Sequence, residues 1–251
     1  MIQRAILGRL LACTMIALLA LSTVGGRAAA AQWEGVGGWE GDSHHQGYGF
    51  LALSALLPSA RGLIVPVRVS VSYLYYQYDS SGTQVSVNSP GVSLLSGVRL
   101  HRRGATGDVL AGVEVRRDQR TSNAAGAPTS EMTRPGAEVM ADADLDLANR
   151  WNSYLLLDYA GADRYWYGSG DLKYQLTNLE WSQPTVWFVG ASAVREGNDE
   201  SDAVEIGGFM EQAIVRSTLS VGLSAGYQNS GSPGEARRTG GYLGVSLYRR
   251  F

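Results

Sequence analysis

The chain has 251 residues, with 21 basic and 23 acidic side chains and a single cysteine, Cys13. So small a charge imbalance gives no phosphate-attracting field, which argues against a nucleic-acid partner. One cysteine supports neither a disulfide framework nor a thiolate metal site.

The first residues read as a secretory signal peptide. Arg4 and Arg9 form a positive start, an apolar run covers 10–24, and small residues at 28–31 offer cleavage sites before Gln32. The apolar run is shorter than the ~20 residues a spanning helix needs. "LLAC" resembles a lipoprotein box at Cys13, but apolar residues continue past it to Leu21. Removing 1–31 takes three of the arginines and no acid, so the remaining domain, 32–251, is mildly acidic and has no cysteine.

Glycine (32 residues) and tyrosine (13) are abundant, and lysine is nearly absent. The dominant pattern is alternation, the signature of strands with one apolar face. It is loose over 33–40 and 47–57. It is clean in "VPVRVSVSYLYYQY", where Val65, Val67, Val69, Val71, Tyr73 and Tyr75 oppose Pro66, Arg68, Ser70 and Ser72. Aromatic residues gather at one end of that apolar face, as in the interfacial girdle of a membrane barrel.

The pattern repeats. Val92, Leu94, Val98 and Leu100 oppose Ser93, Gly97, Arg99 and His101. Val109, Ala111, Val113 and Val115 oppose Gly112, Glu114 and Arg116. Ala137, Val139, Ala141, Ala143, Leu145 and Leu147 oppose Glu138, Asp142, Asp144 and Asp146. Less regular strands follow over 151–160, 164–177, 184–196 and 202–212. Leu219, Val221, Leu223, Ala225 and Tyr227 then oppose Ser220, Gly222, Ser224 and Gly226. The last segment, "GGYLGVSLYRRF", alternates up to Phe251, with Arg249 as a charged exception on the apolar face.

These segments predict an all-β fold: an antiparallel up-and-down transmembrane β-barrel of about twelve strands in the bacterial outer membrane. Spanning strands of ~9–11 residues with their connections fit the length. Short connections at 58–62, 102–107, 148–150, 177–183 and 215–218 alternate with mostly longer polar ones, including "DSSGTQVSVNS" and "DQRTSNAAGAPTSEMT". That asymmetry is the outer-membrane plan. A soluble sandwich or lipocalin-like barrel shares the periodicity and differs in which face is buried. Polar faces rich in Gly and Ser suit a crowded, wet lumen. A terminal aromatic strand is also the signal that barrel-assembly machinery reads, so Phe251 is the expected assembly signal.

No catalytic, cofactor or metal site is expected. His44 and His45 lie in the first outer loop without further ligands beyond Asp42, and no nucleophile elbow or Walker loop is present. Asp142, Asp144 and Asp146 stand roughly 6.5–7 Å apart along one face, a spacing compatible with paired-acid glycoside chemistry. The plainer reading is that lumen acids pair with Arg68, Arg99, Arg116 and Lys173. Tyr165, Trp166 and Tyr167 beside an outer loop read as a girdle anchor or as a stacking surface for glycan.

The segments "GWEGDSHHQGYGFLAL", "SVSYLYYQYD", "GVEVRRDQ", "RPGAEVMADADL", "DRYWYGSGDLKY" and "GASAVREGNDESDAVEIGGFM", together with the aromatic end, resemble the cellulose biosynthesis protein BcsS family. The likeness covers nearly all of 32–251. It implies an outer-membrane barrel encoded with cellulose synthase genes, with a role in making or exporting cellulose and no catalytic residues to carry over. The implied partners are outer-membrane lipid, the barrel-assembly machinery, cellulose or another glucan, and components of the cellulose synthase complex. The competing classes are a small outer-membrane enzyme acting on lipid or glycan, and a narrow diffusion porin.

Overall fold

The computed structural model describes residues 32–44, 46–59, 63–80, 83–122, 129–148, 150–177, 184–231 and 236–251. The expected signal peptide and His45 lie outside them. The described residues form twelve strands: β1 (Gln32–Asp42), β2 (Gly47–Pro58), β3 (Ile64–Ser80), β4 (Thr83–Arg102), β5 (Ala105–Ser122), β6 (Ser130–Ala148), β7 (Trp151–Ala160), β8 (Tyr165–Gln175), β9 (Thr185–Gly197), β10 (Asp202–Ile214), β11 (Leu219–Gly231) and β12 (Arg238–Arg250). Each pairs antiparallel with its sequence neighbours, and β1 closes on β12 from Glu34↔Arg250 to Asp42↔Tyr242. The Phe251 amide donates to the Trp33 carbonyl at 2.8 Å, extending the seam by one bond.

The apolar face is on the outside. Val69 and Val71 are each 49% exposed, and Leu157, Ile206 and Leu243 each 65%. A soluble barrel would bury this face, so the lipocalin-like alternative is overturned. Outward aromatics bound the apolar band at both ends. Trp39, Tyr73, Tyr159, Trp166 and Tyr227 ring one end, and Trp33, Trp151, Tyr174, Trp187 and Phe251 the other. On β7 the two belts stand eight residues apart, or about 27 Å along the strand. Two girdles flanking an apolar band fit the outer-membrane pattern. Arg249 sits in the inner belt with its guanidinium 4.6 Å from the centre of the Phe251 ring, a cation–π contact that accounts for a charge at that register.

The expected loop plan holds only in part. "DSSGTQVSVNS" is not a loop: β3 and β4 continue their ladder through Tyr76↔Val87 and Tyr78↔Val85 to Ser80↔Thr83. β5 and β6 likewise pair out to Arg120↔Ser130, so β5 ends at Ser122 and β6 begins at Ser130. At the other end β8 stops at Gln175 and β9 starts at Thr185, close to the connection expected at 177–183. β3–β6 are therefore 17–20 residues long against 10–13 for the other strands. They rise beyond the outer girdle as a four-stranded sheet on one side of the mouth. There the outward face meets water and carries cross-strand polar pairs, while the inward face buries Tyr76, Val87, Ser89 and Asp118. Arg117 Nη2 donates to Glu131 Oε2 at 2.6 Å, and this bond holds the Glu131 carboxyl below its usual range. Gln119 Nε2 donates to the other oxygen of Glu131 at 2.8 Å.

An arginine facing lipid at mid-membrane costs about 2–4 kcal/mol. Val69→Arg is expected to abolish most of the heat-modifiable folded band in outer-membrane fractions. Ser246→Arg is the matched control, because Ser246 points inward yet stays exposed to water. Equal loss in both variants would show that the outward face of β3 does not meet lipid.

Candidate functional site

The lumen carries two levels of charged cross-links. Toward the seam end, the end of the barrel that carries Trp33, Trp151 and the chain's last residue Phe251, Arg99 of β4 donates through Nη1 and Nη2 to both oxygens of Glu34 on β1, at 2.8 and 2.7 Å. Its Nε and Nη2 reach both oxygens of Asp108 on β5, each at 2.7 Å. One planar guanidinium thus ties three strands with fork-like geometry. Asp108 is 1% exposed. Arg68 lies next to this group. Its Nε donates to Ser54 Oγ at 2.9 Å, its Nη1 stands 2.8 Å from Met140 Sδ, and its Nη2 is 3.9 Å from Asp108.

Further out, Arg116 Nη2 donates to Glu114 Oε1 at 2.6 Å and to Ser72 Oγ at 3.1 Å, and Nη1 to the Ser89 carbonyl at 3.1 Å. Its Nε lies 3.6 Å from Asp163, which belongs to the β7–β8 loop (161–164) folded into the barrel. Gly136 makes room for that loop, since a Cβ there would sit 2.1 Å from the Ala162 amide nitrogen. Above this level, Tyr48 of β2 stacks on Tyr165 of β8 with ring centroids 6.5 Å apart. These strands lie on opposite sides of a twelve-stranded ring, so the pair bridges the lumen. At the mouth, Glu200 of the β9–β10 loop accepts from Tyr76 Oη at 2.7 Å and pairs with Arg120 at 2.8 Å.

The structure places the nine expected lumen charges, Arg68, Arg99, Glu114, Arg116, Glu138, Asp142, Asp144, Asp146 and Lys173, on inward register positions. The expected pairings need correction. Arg99 and Arg116 bind Glu34, Asp108, Glu114 and Asp163, and Lys173 stands 3.5 Å from Glu211. Asp142, Asp144 and Asp146 form no ion pair among the described residues; Asp146 accepts a hydrogen bond from Asn152. The aromatic triplet also divides. Tyr165 is buried in the lumen and donates to Glu196, and Tyr167 faces inward opposite Glu196 and Asp158. Only Trp166 faces outward, with Arg195 5.4 Å from its ring centre. His44 closes its own loop: its amide donates to Asp42 Oδ1 at 2.9 Å, and Nε2 lies 2.9 Å from the Thr239 carbonyl.

A family model for the cellulose biosynthesis protein BcsS matches residues 32–251, the whole length of the barrel. The chain belongs to the BcsS family. A comparison with curated proteins returns no match. Among solved structures, the β-domain of the Bordetella autotransporter Brka is 13% identical, with 88% of this chain and 99% of that one covered and a TM-score of 0.51. The translocator domain of the autotransporter NalP from Neisseria meningitidis is 12% identical, covering 95% of each chain, with a TM-score of 0.49. LpxR from Salmonella typhimurium is 10% identical, covering 87% and 100%, with a TM-score of 0.48. The likeness to Brka supports the outer-membrane barrel fold and says nothing of activity.

In this BcsS-family barrel the outer half of the lumen is crossed by the Tyr48–Tyr165 stack and by the Glu200 contacts. Toward the seam end, inward Ser246, Asp144 and Asp146 remain exposed. The interior is thus a cup, more open at the seam end. Replacing both Tyr48 and Tyr165 with Ala is expected to raise single-channel conductance in planar bilayers severalfold over the parent barrel. Trp166→Ala should leave it unchanged. No gain in the double variant would show that the stack does not obstruct the lumen.

Proposed function

We propose that this protein is a non-enzymatic outer-membrane barrel that supports the biosynthesis or export of cellulose. The observation that carries the reading is the commitment of the strongest lumen charges to cross-barrel structural pairs, above all the Arg99 fork with Glu34 and Asp108. Carboxylates held this way serve as struts and are not free to exchange protons with a substrate. BcsS family membership supplies the link to cellulose. The seam-end opening faces the periplasm, because outer-membrane barrels turn their taller projections outward. There it meets components of the cellulose synthase complex.

In this reading residues 1–31 are cleaved after export. Phe251 is then recognised by the barrel-assembly machinery, and the outward band is solvated by outer-membrane lipid. Deleting Phe251 is expected to lower the amount of heat-modifiable barrel while removal of the signal peptide proceeds normally. Unchanged assembly would remove its role as a signal.

The acids without ion pairs test the enzymatic alternative. A variant carrying Asp142→Asn, Asp144→Asn and Asp146→Asn loses any carboxylate chemistry on that row and keeps its shape. In a strain lacking the native gene, this variant is expected to restore most of the cellulose output that the parent restores. A correctly inserted triple variant with no output would argue for acid–base catalysis in the lumen and against the proposed role.

A further inference from the structure

We propose that the cavity at the outer mouth binds the end of a neutral β-linked glucan; the choice of glucan rests on the cellulose reading above. The cavity measures about 270 Å³, and Tyr76, Asp118, Arg120, Arg134, Asp163 and Glu200 are among its lining residues. That is far above the roughly 10–15 Å³ needed to admit one water, so it is ligand-sized. It opens outward, since the side chains of Arg134 and Glu200 are each 33% exposed.

The charge arrangement selects the ligand class. Arg120 stands 2.8 Å from Glu200 and 3.9 Å from Asp118, and Arg134 is 3.6 Å from Asp118. At the rim, Arg164 pairs with Asp199 at 3.0 Å. Three guanidiniums thus alternate with four carboxylates around one space. A phosphate would meet carboxylates, and a cation would meet guanidiniums. A neutral polyol suits both, because each hydroxyl can donate to a carboxylate and accept from a guanidinium. The surface continues upward from the cavity along β3. The Tyr76 and Tyr78 rings stack with centroids 6.1 Å apart, and Arg120 Nη1 donates to Tyr78 Oη at 3.3 Å. Tyr76 is the buried member of this stack, so the half-buried Tyr78 is the ring that continues the site beyond the cavity. Lipopolysaccharide core sugars share the hydroxyl chemistry, but their phosphates conflict with the carboxylates.

The test is calorimetric titration of the full barrel in detergent with cellohexaose, maltohexaose and phosphorylated lipopolysaccharide core oligosaccharide. Saturable one-to-one binding of cellohexaose is expected, with weaker binding of the other two. Arg134→Ala and Asp118→Asn should each raise the cellohexaose Kd at least tenfold. Gln119→Ala, on the opposite face of the same sheet, should not change it. Heat-modifiable migration establishes that each variant is folded. Absent binding, equal or tighter binding of maltohexaose or core oligosaccharide, or a Kd moved by neither cavity substitution would overturn the site. Cellulose output reads the broader role separately. A folded variant that no longer binds cellohexaose but still supports output would leave the proposed function standing, with this cavity outside it. A gene deletion without effect on output would instead remove the cellulose role itself.

Discussion

The structure depends first on the seam between β1 and β12. Within hydrocarbon no water satisfies a backbone N–H or C=O, so a sheet can cross only if its last strand pairs with its first. The Glu34↔Arg250 to Asp42↔Tyr242 ladder meets that requirement. Once the ring is closed, every side chain must point either to lipid or into a confined interior. The two-residue period of the sequence, the outward valines and the two aromatic belts follow from this division. So does the confinement of nearly all charge to the lumen and the ends.

Confinement makes the lumen charges interdependent. Removing one partner of a buried ion pair costs about 3–5 kcal/mol, because the other charge is left uncompensated. Arg99 serves two carboxylates, so among the described residues its loss would leave Glu34 only Arg250 and Asp108 only Arg68 as charged partners, each at 3.9 Å. The same physics fixes the inward fold of the 161–164 loop. Asp163 enters a crowded interior because Arg116 meets it there and Gly136 leaves the room. The interior is thereby filled by specific pairs that join strands far apart in sequence.

What was legible in the sequence divides along the same line. Facing was legible because the period of two is local: Val65 to Val71 against Arg68 and Ser70 needs no knowledge of any other strand. The lumen partners were not legible, because Glu34 and Arg99, or Arg120 and Glu200, come together only through the ring. Glu200 lay in a stretch that reads as a solvated loop. The strands above the membrane are hard to read because their outward face is wet and polar residues also fill their inward face; only the inward Val85 and Val87 of "QVSVNS" keep a trace of alternation. The aromatic triplet was decipherable by parity. Tyr165 and Tyr167 share a face with Asp171 and Lys173, which marks them as inward, while Trp166 shares one with Leu172.

The tall sheet gives back what closure removes. Above Gly47↔Tyr75 and Glu138↔Ala160, β3 and β6 each have a ladder partner on one side only. Their free flanks stand beyond the aromatic girdle, where another chain's strand could add to them. The sequence blunts both flanks. Pro135 removes a donor from the β6 flank and Glu131 and Arg134 charge it, while the Glu200 carboxylate caps the Tyr76 hydroxyl on β3. A protein that must rise above its membrane on one side thus regains the hazard of strand-by-strand polymerisation, and it carries its protection in a few residues at the margin of that sheet.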